Sequence, residues 1–113
     1  MYNTYKNCTN LESAVCGPNV RNMYYTYAGC TNLITAAYGP NVEYMIGVYS
    51  GCTNLQGSPN ISNPNLISVN NVYWGCSNLT GAPVCGDNIT GFSYAYNNCS
   101  NLTGAPVCGD KVK

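Results

Sequence analysis

The chain has 113 residues, of which only 7% are charged, with four basic side chains balancing four acidic ones and no histidine. This composition excludes nucleic-acid binding, which needs excess Lys and Arg, and membrane insertion, because polar residues interrupt every window of about 20 residues. It also argues against disorder, because 11 tyrosines need burial, and it removes histidine as a general base or zinc ligand.

A five-fold internal repeat dominates the chain. The word C-[TS]-N-L occurs five times, and its cysteines are 22, 22, 24 and 23 residues apart. A tyrosine stands three residues before each cysteine, Gly or Asn stands directly before it, and an apolar residue stands seven before it. The cysteines are Cys8, Cys30, Cys52, Cys76 and Cys99; the leucines are Leu11, Leu33, Leu55, Leu79 and Leu102; the tyrosines are Tyr5, Tyr27, Tyr49, Tyr73 and Tyr96. Five copies of the same residues at the same relative positions predict a repeat architecture.

Each repeat is too short to bury its own apolar face, so neighbouring repeats must stack into a solenoid. We expect one array of five coils, in order 1–22, 23–44, 45–68, 69–91 and 92–113, without caps. Since Met1 shares a repeat position with Met23 and Met45, we expect no signal peptide within these residues.

Within each coil, one stretch runs from the apolar residue seven positions before the cysteine to the cysteine itself. In this stretch the apolar residues are three and four positions apart. This spacing predicts a single helical or 3₁₀ turn. After each leucine we predict a short strand, near residues 11–16, 33–38, 79–85 and 102–108. Gly-Pro-Asn at 17–19 and 39–41 then predicts a turn, because Pro fixes φ and Gly or Asn tolerates a positive φ.

The words Y-A-G-C-T-N-L at 27–33 and G-P-N-V at 39–42 carry a family resemblance. The chain resembles the BspA-like leucine-rich repeats of bacterial surface proteins, in which an aromatic residue precedes C-x-x-L, a strand, I-P and V-x-x-I. It departs from them in two ways. The stretch from the apolar residue to the aromatic residue is one residue shorter, and tyrosine stands where phenylalanine is common. The resemblance implies a right-handed leucine-rich-repeat-like solenoid with a short parallel sheet. It also implies an extracellular or cell-surface, adhesive role.

No catalytic, metal or cofactor site is predicted. Asp87 and Asp110 share a repeat position, but no base, nucleophile or oxyanion site accompanies them, so we expect no enzyme. A zinc site would need closely spaced cysteine pairs, which the chain lacks. The five cysteines of the word predict a ladder of buried thiols, and Cys85 with Cys108 is the one pair that we would test for a disulfide.

The repeat tyrosines allow two interpretations, a buried column or an exposed strip on which sugars stack, and the buried column is favoured. The asparagines of the word predict a second column that bonds to the backbone of neighbouring coils. They are Asn10, Asn32, Asn54, Asn78 and Asn101.

Two functions follow. In the first, the chain is a fibre or filament subunit in which the last coil stacks on the first coil of another copy, because both ends are in full repeat register. The residues predicted at this contact are Met1, Tyr5, Cys8, Leu11, Cys16, Cys99, Leu102, Cys108 and Val112, and Cys108 would approach Cys16 of the neighbouring copy. A competing explanation for the missing caps is that the chain is part of a longer array.

In the second, the chain is an adhesin or recognition module that binds a host or cell-surface protein or glycan. The predicted binding face is shallow and nearly uncharged, so that binding would be weak and tolerant of salt. It comprises Glu12, Ile34, Thr35, Gln56, Thr80 and Thr103.

Overall fold

The computed structural model describes residues 1–14, 16–36, 39–56, 60–61, 64–80, 84–85 and 88–102, with the backbone alone at 60–61 and 84–85. Within these ranges the chain forms four short strands and no helix. The strands are β1 (Asn22–Tyr24), β2 (Tyr44–Ile46), β3 (Asn60–Ile61) and β4 (Val84–Cys85).

Every strand pairs in parallel with the strand at the equivalent position of the next repeat. β1 pairs with β2, so that Met23 lies beside Met45, and β3 pairs with β4, so that Asn60 lies beside Val84. Isolated parallel bridges continue this pairing to Tyr2 on one side and to Ser68 and Gly91 on the other. These bridges join Tyr2 to Tyr24, Tyr44 to Ser68, and Ser68 to Gly91. Consecutive repeats are therefore neighbours in space throughout the described residues.

Backbone hydrogen bonds join each repeat to the next along the stretch before the cysteine. In repeats one to four, the N–H groups five, three and one residues before the cysteine donate to carbonyls of the following repeat, at 2.7–3.0 Å. Between repeats two and three the pairs are Tyr25 with Ile46, Tyr27 with Val48, and Gly29 with Ser50. The bonds have one polarity, with N–H groups pointing towards the later repeat and carbonyls towards the earlier one.

The strand positions differ from those predicted. β1 and β2 lie after Gly-Pro-Asn-Val, whereas the predicted strands at 11–16 and 33–38 show only the bridge between Ser13 and Thr35 in their described part. β4 lies inside the predicted 79–85 strand, and the 102–108 strand lies outside the described residues after Leu102. β1 and β2 are short because the next residues, Tyr25 and Gly47, have positive φ of 51° and 62°.

The stretch predicted as a helical or 3₁₀ turn forms overlapping turns instead. In repeat two, Ala28 N–H donates to the Tyr25 carbonyl at 3.2 Å and Cys30 N–H donates to the Tyr27 carbonyl at 3.1 Å. The intervening N–H groups donate to the next repeat, and the residues five and one before the cysteine have positive φ. A right-handed helix cannot continue through positive φ, so the stretch bends without becoming helical.

The core lies between the strands and the C-[TS]-N-L words. Leu33, Leu55 and Leu79 are buried, and Leu11 and Leu102 at the two ends are half-buried against the same cluster. The leucine register predicted from the sequence is confirmed, because no leucine of a middle repeat is exposed.

Candidate self-association faces

The repeat tyrosines form a stacked column through all five repeats. Ring centroids of consecutive members are 5.3–5.8 Å apart, with interplanar angles of 3–13°. The three middle members, Tyr27, Tyr49 and Tyr73, are buried, so the core interpretation is confirmed for them. The first member, Tyr5, is 39% exposed against 1% for Tyr27, because no described residue covers its outer side.

The repeat cysteines form a ladder of thiol hydrogen bonds that the sequence did not reveal. Each Sγ donates to the carbonyl of the column tyrosine in the preceding repeat. The bonds run from Cys30 to Tyr5, Cys52 to Tyr27, Cys76 to Tyr49, and Cys99 to Tyr73, at 3.0–3.1 Å. The four donors are buried free thiols, as predicted, whereas Cys8 is an exposed free thiol. Because Cys8 lies in the first repeat, the described residues contain no preceding repeat whose tyrosine carbonyl could accept a hydrogen bond from its thiol.

Burial shifts the titration of these thiols. Desolvation raises the pKa of Cys52 to about 12, and the neighbouring Cys30 adds to the shift. The pKa of Cys76 is raised for the same reason, by burial first and by Cys52 and Cys99 next. Burial also raises the pKa of Cys30 and Cys99. The ladder thiols therefore stay protonated and unreactive in the folded protein at neutral pH.

This shift predicts a loss of stability in alkaline solution. Because the folded protein holds the Cys52 proton more tightly than the unfolded chain, the contribution is complete below pH 9.0 and is lost as the pH rises towards about 12. Within that window each such thiol lowers the free energy of unfolding by up to about 1.4 kcal/mol per pH unit. Urea unfolding of Cys52→Ala across this range should give a shallower dependence on pH than wild type.

Because Cys52→Ala keeps every tyrosine, the comparison of slopes tests the thiol. A Cys8→Ala variant is the matched control, because it removes an exposed thiol and should change the slope less than Cys52→Ala does. Equal slopes for wild type and Cys52→Ala would contradict the buried thiol ladder.

A second side-chain ladder comes from the turn that precedes β2 and the equivalent bridge residues Ser68 and Gly91. The Nδ2 atoms of Asn41, Asn65 and Asn88 donate to proline carbonyls of the preceding repeat. The acceptors are Pro18, Pro40 and Pro64, at 2.8, 2.7 and 3.1 Å. The sequence signal is the recurring Pro-Asn or Asp-Asn pair, and from Gly-Pro-Asn the sequence predicts a turn but not these bonds.

The asparagines of the C-[TS]-N-L word, by contrast, are exposed. Asn78 donates to Asn54 Oδ1 at 3.4 Å, so this contact joins side chain to side chain. The backbone bonding predicted for this column is instead made by the asparagines after the prolines.

The outer side of repeat one presents the repeat columns to solvent. We call this surface the first face and define it by Tyr5, Cys8 and Leu11. Tyr5 and Cys8 are exposed, and Leu11 is half-buried. The face contains a shallow depression of about 530 Å³, lined by Tyr5, Asn7, Cys8, Thr9, Asn10 and Leu11. The Met1 ammonium donates to the Asn22 carbonyl at 2.6 Å, so Met1 is anchored to the last residue of its own repeat.

The outer side of repeat five, which we call the last face, is defined by Tyr96, Cys99 and Leu102. Tyr96 and Leu102 are half-buried and Cys99 is buried. Of the other residues predicted at the contact, Cys16 is half-buried with its Sγ 3.8 Å from Met23 Sδ. Cys108 and Val112 lie outside the described residues, so the predicted approach of Cys108 to Cys16 does too.

The two faces carry complementary backbone groups. On the last face, the N–H groups of Tyr94 and Asn98 have no acceptor among the described residues, although their counterparts in the four earlier repeats donate to the following repeat. On the first face, the carbonyls of Tyr2 and Lys6 have no described donor, although their counterparts accept from the preceding repeat. One face therefore offers donors where the other offers acceptors.

The predicted recognition face forms an exposed row. Glu12, Ile34, Thr35, Gln56 and Thr80 are exposed, and Thr103 lies outside the described residues. Backbone bonds align the row, from Ile34 N–H to the Glu12 carbonyl at 2.9 Å and from Gln56 N–H to the Ile34 carbonyl at 3.1 Å. Glu12 is the one charged residue of this row, so the row is nearly neutral.

Other chemistry is limited in the described part of the chain. It contains no group of three or more His, Cys, Asp or Glu side chains able to hold a metal ion, and no helix long and apolar enough to cross a membrane. The pair considered for a disulfide cannot be placed, because the Cys85 side chain and the whole of Cys108 lie outside the description.

Comparison with known proteins adds no relative. No family model matches the chain, and no curated protein or solved structure matches it. The resemblance to BspA-like leucine-rich repeats therefore rests on the repeat words alone, and function has to be inferred from the geometry of the faces.

Proposed function

We propose that the chain is a non-enzymatic, leucine-rich-repeat-like solenoid whose copies associate head to tail into a fibre or filament outside the cell or on its surface. The observation that carries the proposal is the complementarity of the two faces. Among the described residues, N–H groups of repeat five have no acceptor, and carbonyls of repeat one at the matching repeat positions have no donor. A second copy placed one repeat step beyond the last face pairs these groups as every internal boundary does.

Side chains support the same joint. Tyr5 and Leu11 are buried less than their counterparts in the middle repeats, so a second copy would remove their apolar surface from water. The contact is heterologous, with different surfaces of the two copies meeting, and we infer that its repetition does not close into a ring. Such contacts generate open filaments.

Electrostatics leave this association unopposed. The formal net charge is zero, and the described ion pair, Arg21 with Glu43 at 3.9 Å, lies on the surface. Copies therefore neither repel nor steer one another strongly, and association should change little between low and moderate salt.

We expect sedimentation velocity and electron microscopy to show particles that lengthen as protein concentration rises. Leu11→Asp places a charge in the joint and should hold the protein as a monomer, because an unpaired carboxylate would have to be desolvated there. Gln56→Asp is the control, since Gln56 is exposed on a middle repeat. Circular dichroism of both variants checks that the fold is retained.

A wild-type protein that stays monomeric at every concentration would overturn the proposal. So would a folded Leu11→Asp variant that forms particles as long as those of wild type.

The exposed row from Glu12 to Thr80 supports a second candidate, a recognition module for a protein or glycan on a host or cell surface. Its side chains are aligned by the backbone bonds between repeats and leave a shallow surface without a dominant charge. A monomer that bound cell-surface glycans or proteins with little dependence on salt, and lost binding on Ile34→Asp, would favour this candidate over the filament.

A further inference from the structure

The residue five before each repeat cysteine has a positive φ in all five repeats. These residues are Asn3, Tyr25, Gly47, Asn71 and Tyr94, with φ of 53°, 51°, 62°, 58° and 56°. Glycine adopts this conformation freely and asparagine tolerates it, whereas a bulky tyrosine is strained by it. The two tyrosines therefore occupy positions where the fold itself favours Asn or Gly.

For Tyr25 the structure provides a compensating contact. Its ring lies so close over Gly47 of the next repeat that a Cβ at residue 47 would overlap it. From the other side, Lys6 Nζ lies 5.9 Å from the ring centroid, a distance suited to a cation–π contact. The strained tyrosine thus packs between the repeats on either side of it.

Tyr94 has the same backbone conformation without a described following repeat. Its side chain is 69% exposed, and on the first face Tyr2 is 67% exposed. These are the two most exposed large apolar side chains of the described residues, and one lies at each end of the array. Strain without a compensating contact among the described residues points to a contact with another molecule.

We propose that Tyr94 is the aromatic anchor of the head-to-tail joint and packs against the Tyr2–Asn3 segment of a second copy of this chain. This inference rests on the proposed function. At that joint the N–H groups of Tyr94 and Asn98 donate to the Tyr2 and Lys6 carbonyls of the second copy. The Cys8 thiol of that copy donates to the Tyr96 carbonyl, which extends the thiol ladder by one rung.

Backbone shape fixes the register of this joint. The positive φ residues of the last face, Tyr94 and Asn98, have φ of 56° and 61°, and those of the first face, Asn3 and Asn7, have 53° and 61°. The two edges therefore bend at the same places only when Tyr94 meets Asn3 and Asn98 meets Asn7. A shift of the joint by two residues would bring positive-φ residues against residues whose φ is not positive. Because Asn3 carries a Cβ that Gly47 lacks, the Tyr94 ring must lie beside Asn3, towards Tyr2.

The test measures the thermal midpoint and the association constant of one variant, and we expect the first to be kept or raised and the second to fall. Tyr94→Asn adopts the residue found at Asn3 and Asn71, so the thermal midpoint at low protein concentration should equal or exceed that of wild type. The association constant from sedimentation should nevertheless fall at least tenfold. Tyr94→Phe, which keeps the ring, should retain association.

Tyr25→Asn is the matched control. It relieves the same backbone strain inside the array, where the ring contacts Gly47, and should leave the association constant within twofold of wild type. Amide hydrogen exchange adds an independent readout, since the N–H groups of Tyr94 and Asn98 should become protected when the protein assembles.

The outcomes separate this inference from the proposed function. If Tyr94→Asn assembles like wild type while Leu11→Asp does not, the anchor is refuted and the filament stands. If Tyr94→Asn lowers the thermal midpoint of the monomer, Tyr94 is held by contacts within one copy, and the anchor is also refuted. If wild type never associates, both proposals fail.

Discussion

Replacing Leu55 by alanine should lower the free energy of unfolding by about 2–5 kcal/mol, the range found when a packed leucine site is emptied. Leu55 is 1% exposed and lies in the cluster formed by the buried leucines, tyrosines and cysteines. Repeats above and below hold the site, so the surrounding side chains cannot easily collapse into the space that the substitution leaves. Urea unfolding of Leu55→Ala against wild type measures the loss.

Two controls calibrate the size of this effect. Leu11→Ala alters the same repeat position at the first face, where the side chain is half-buried, and should cost less than Leu55→Ala. Gln56→Ala alters the exposed neighbour of Leu55 and should change stability by less than about 0.5 kcal/mol. A cost near zero for Leu55→Ala would show that the leucine column does not form the core.

The buried columns could be predicted from the sequence because the five repeats can be aligned with one another. Leu33, Leu55 and Leu79 recur at one position, and only a side chain that meets the same packed environment in each repeat needs to recur so strictly. The free thiols of Cys30, Cys52 and Cys76 followed from the same argument, because equivalent atoms of stacked repeats point in parallel and fit a disulfide poorly.

The strands and their ends could not be placed in the same way. β1 ends at Tyr24 because Tyr25 has a positive φ, yet nothing in the residue type of Tyr25 signals that conformation. Gly47 at the equivalent position does signal a positive φ. Tyr25 and Tyr94 at the same repeat position do not, so the sequence does not show that this position has a positive φ in every repeat. Strands of three residues are also too short for alternation of apolar and polar side chains to reveal them.

The faces were predictable as side-chain columns but not as backbone edges. Tyr5, Cys8 and Leu11 follow from the repeat register. The one-way polarity of the bonds in the stretch before each cysteine depends instead on which N–H groups there point towards the later repeat, and that polarity is a property of the folded backbone. The sequence therefore predicts that the ends resemble interior boundaries, and the structure adds that in this stretch the last face carries N–H donors and the first face carries carbonyl acceptors.

The backbone conformation of the residue directly before each repeat cysteine should also have a large effect on stability. The five residues there are Asn7, Gly29, Gly51, Gly75 and Asn98, and all have positive φ, between 61° and 77°. Gly51→Ala should therefore lower the free energy of unfolding by about 1–2 kcal/mol, the cost of forcing an ordinary residue into the left-handed region. Gly51→Val should cost more, because a β-branched side chain adopts that region still less readily.

Crowding does not explain this expected loss. A Cβ built on Gly51 would lie 3.8 Å from the nearest atoms, the backbone N and Cα of Gly29, which is ordinary contact distance. The backbone conformation is thus the one feature that an alanine at this position violates. Gly47→Ala would be a poorer experiment, because its Cβ would also meet the Tyr25 ring.

Gly51→Asn is the control that the chain itself supplies. Asn7 holds the equivalent position in repeat one, and its side chain lies against Gly29 of the next repeat, where no Cβ interferes. An asparagine at residue 51 would face Gly75 in the same way and should therefore be better tolerated than alanine, although it is the larger side chain. Thermal and urea unfolding of the three variants should rank stability as Asn above Ala above Val. A ranking by size, with Ala above Asn, would mean that space rather than φ governs this position.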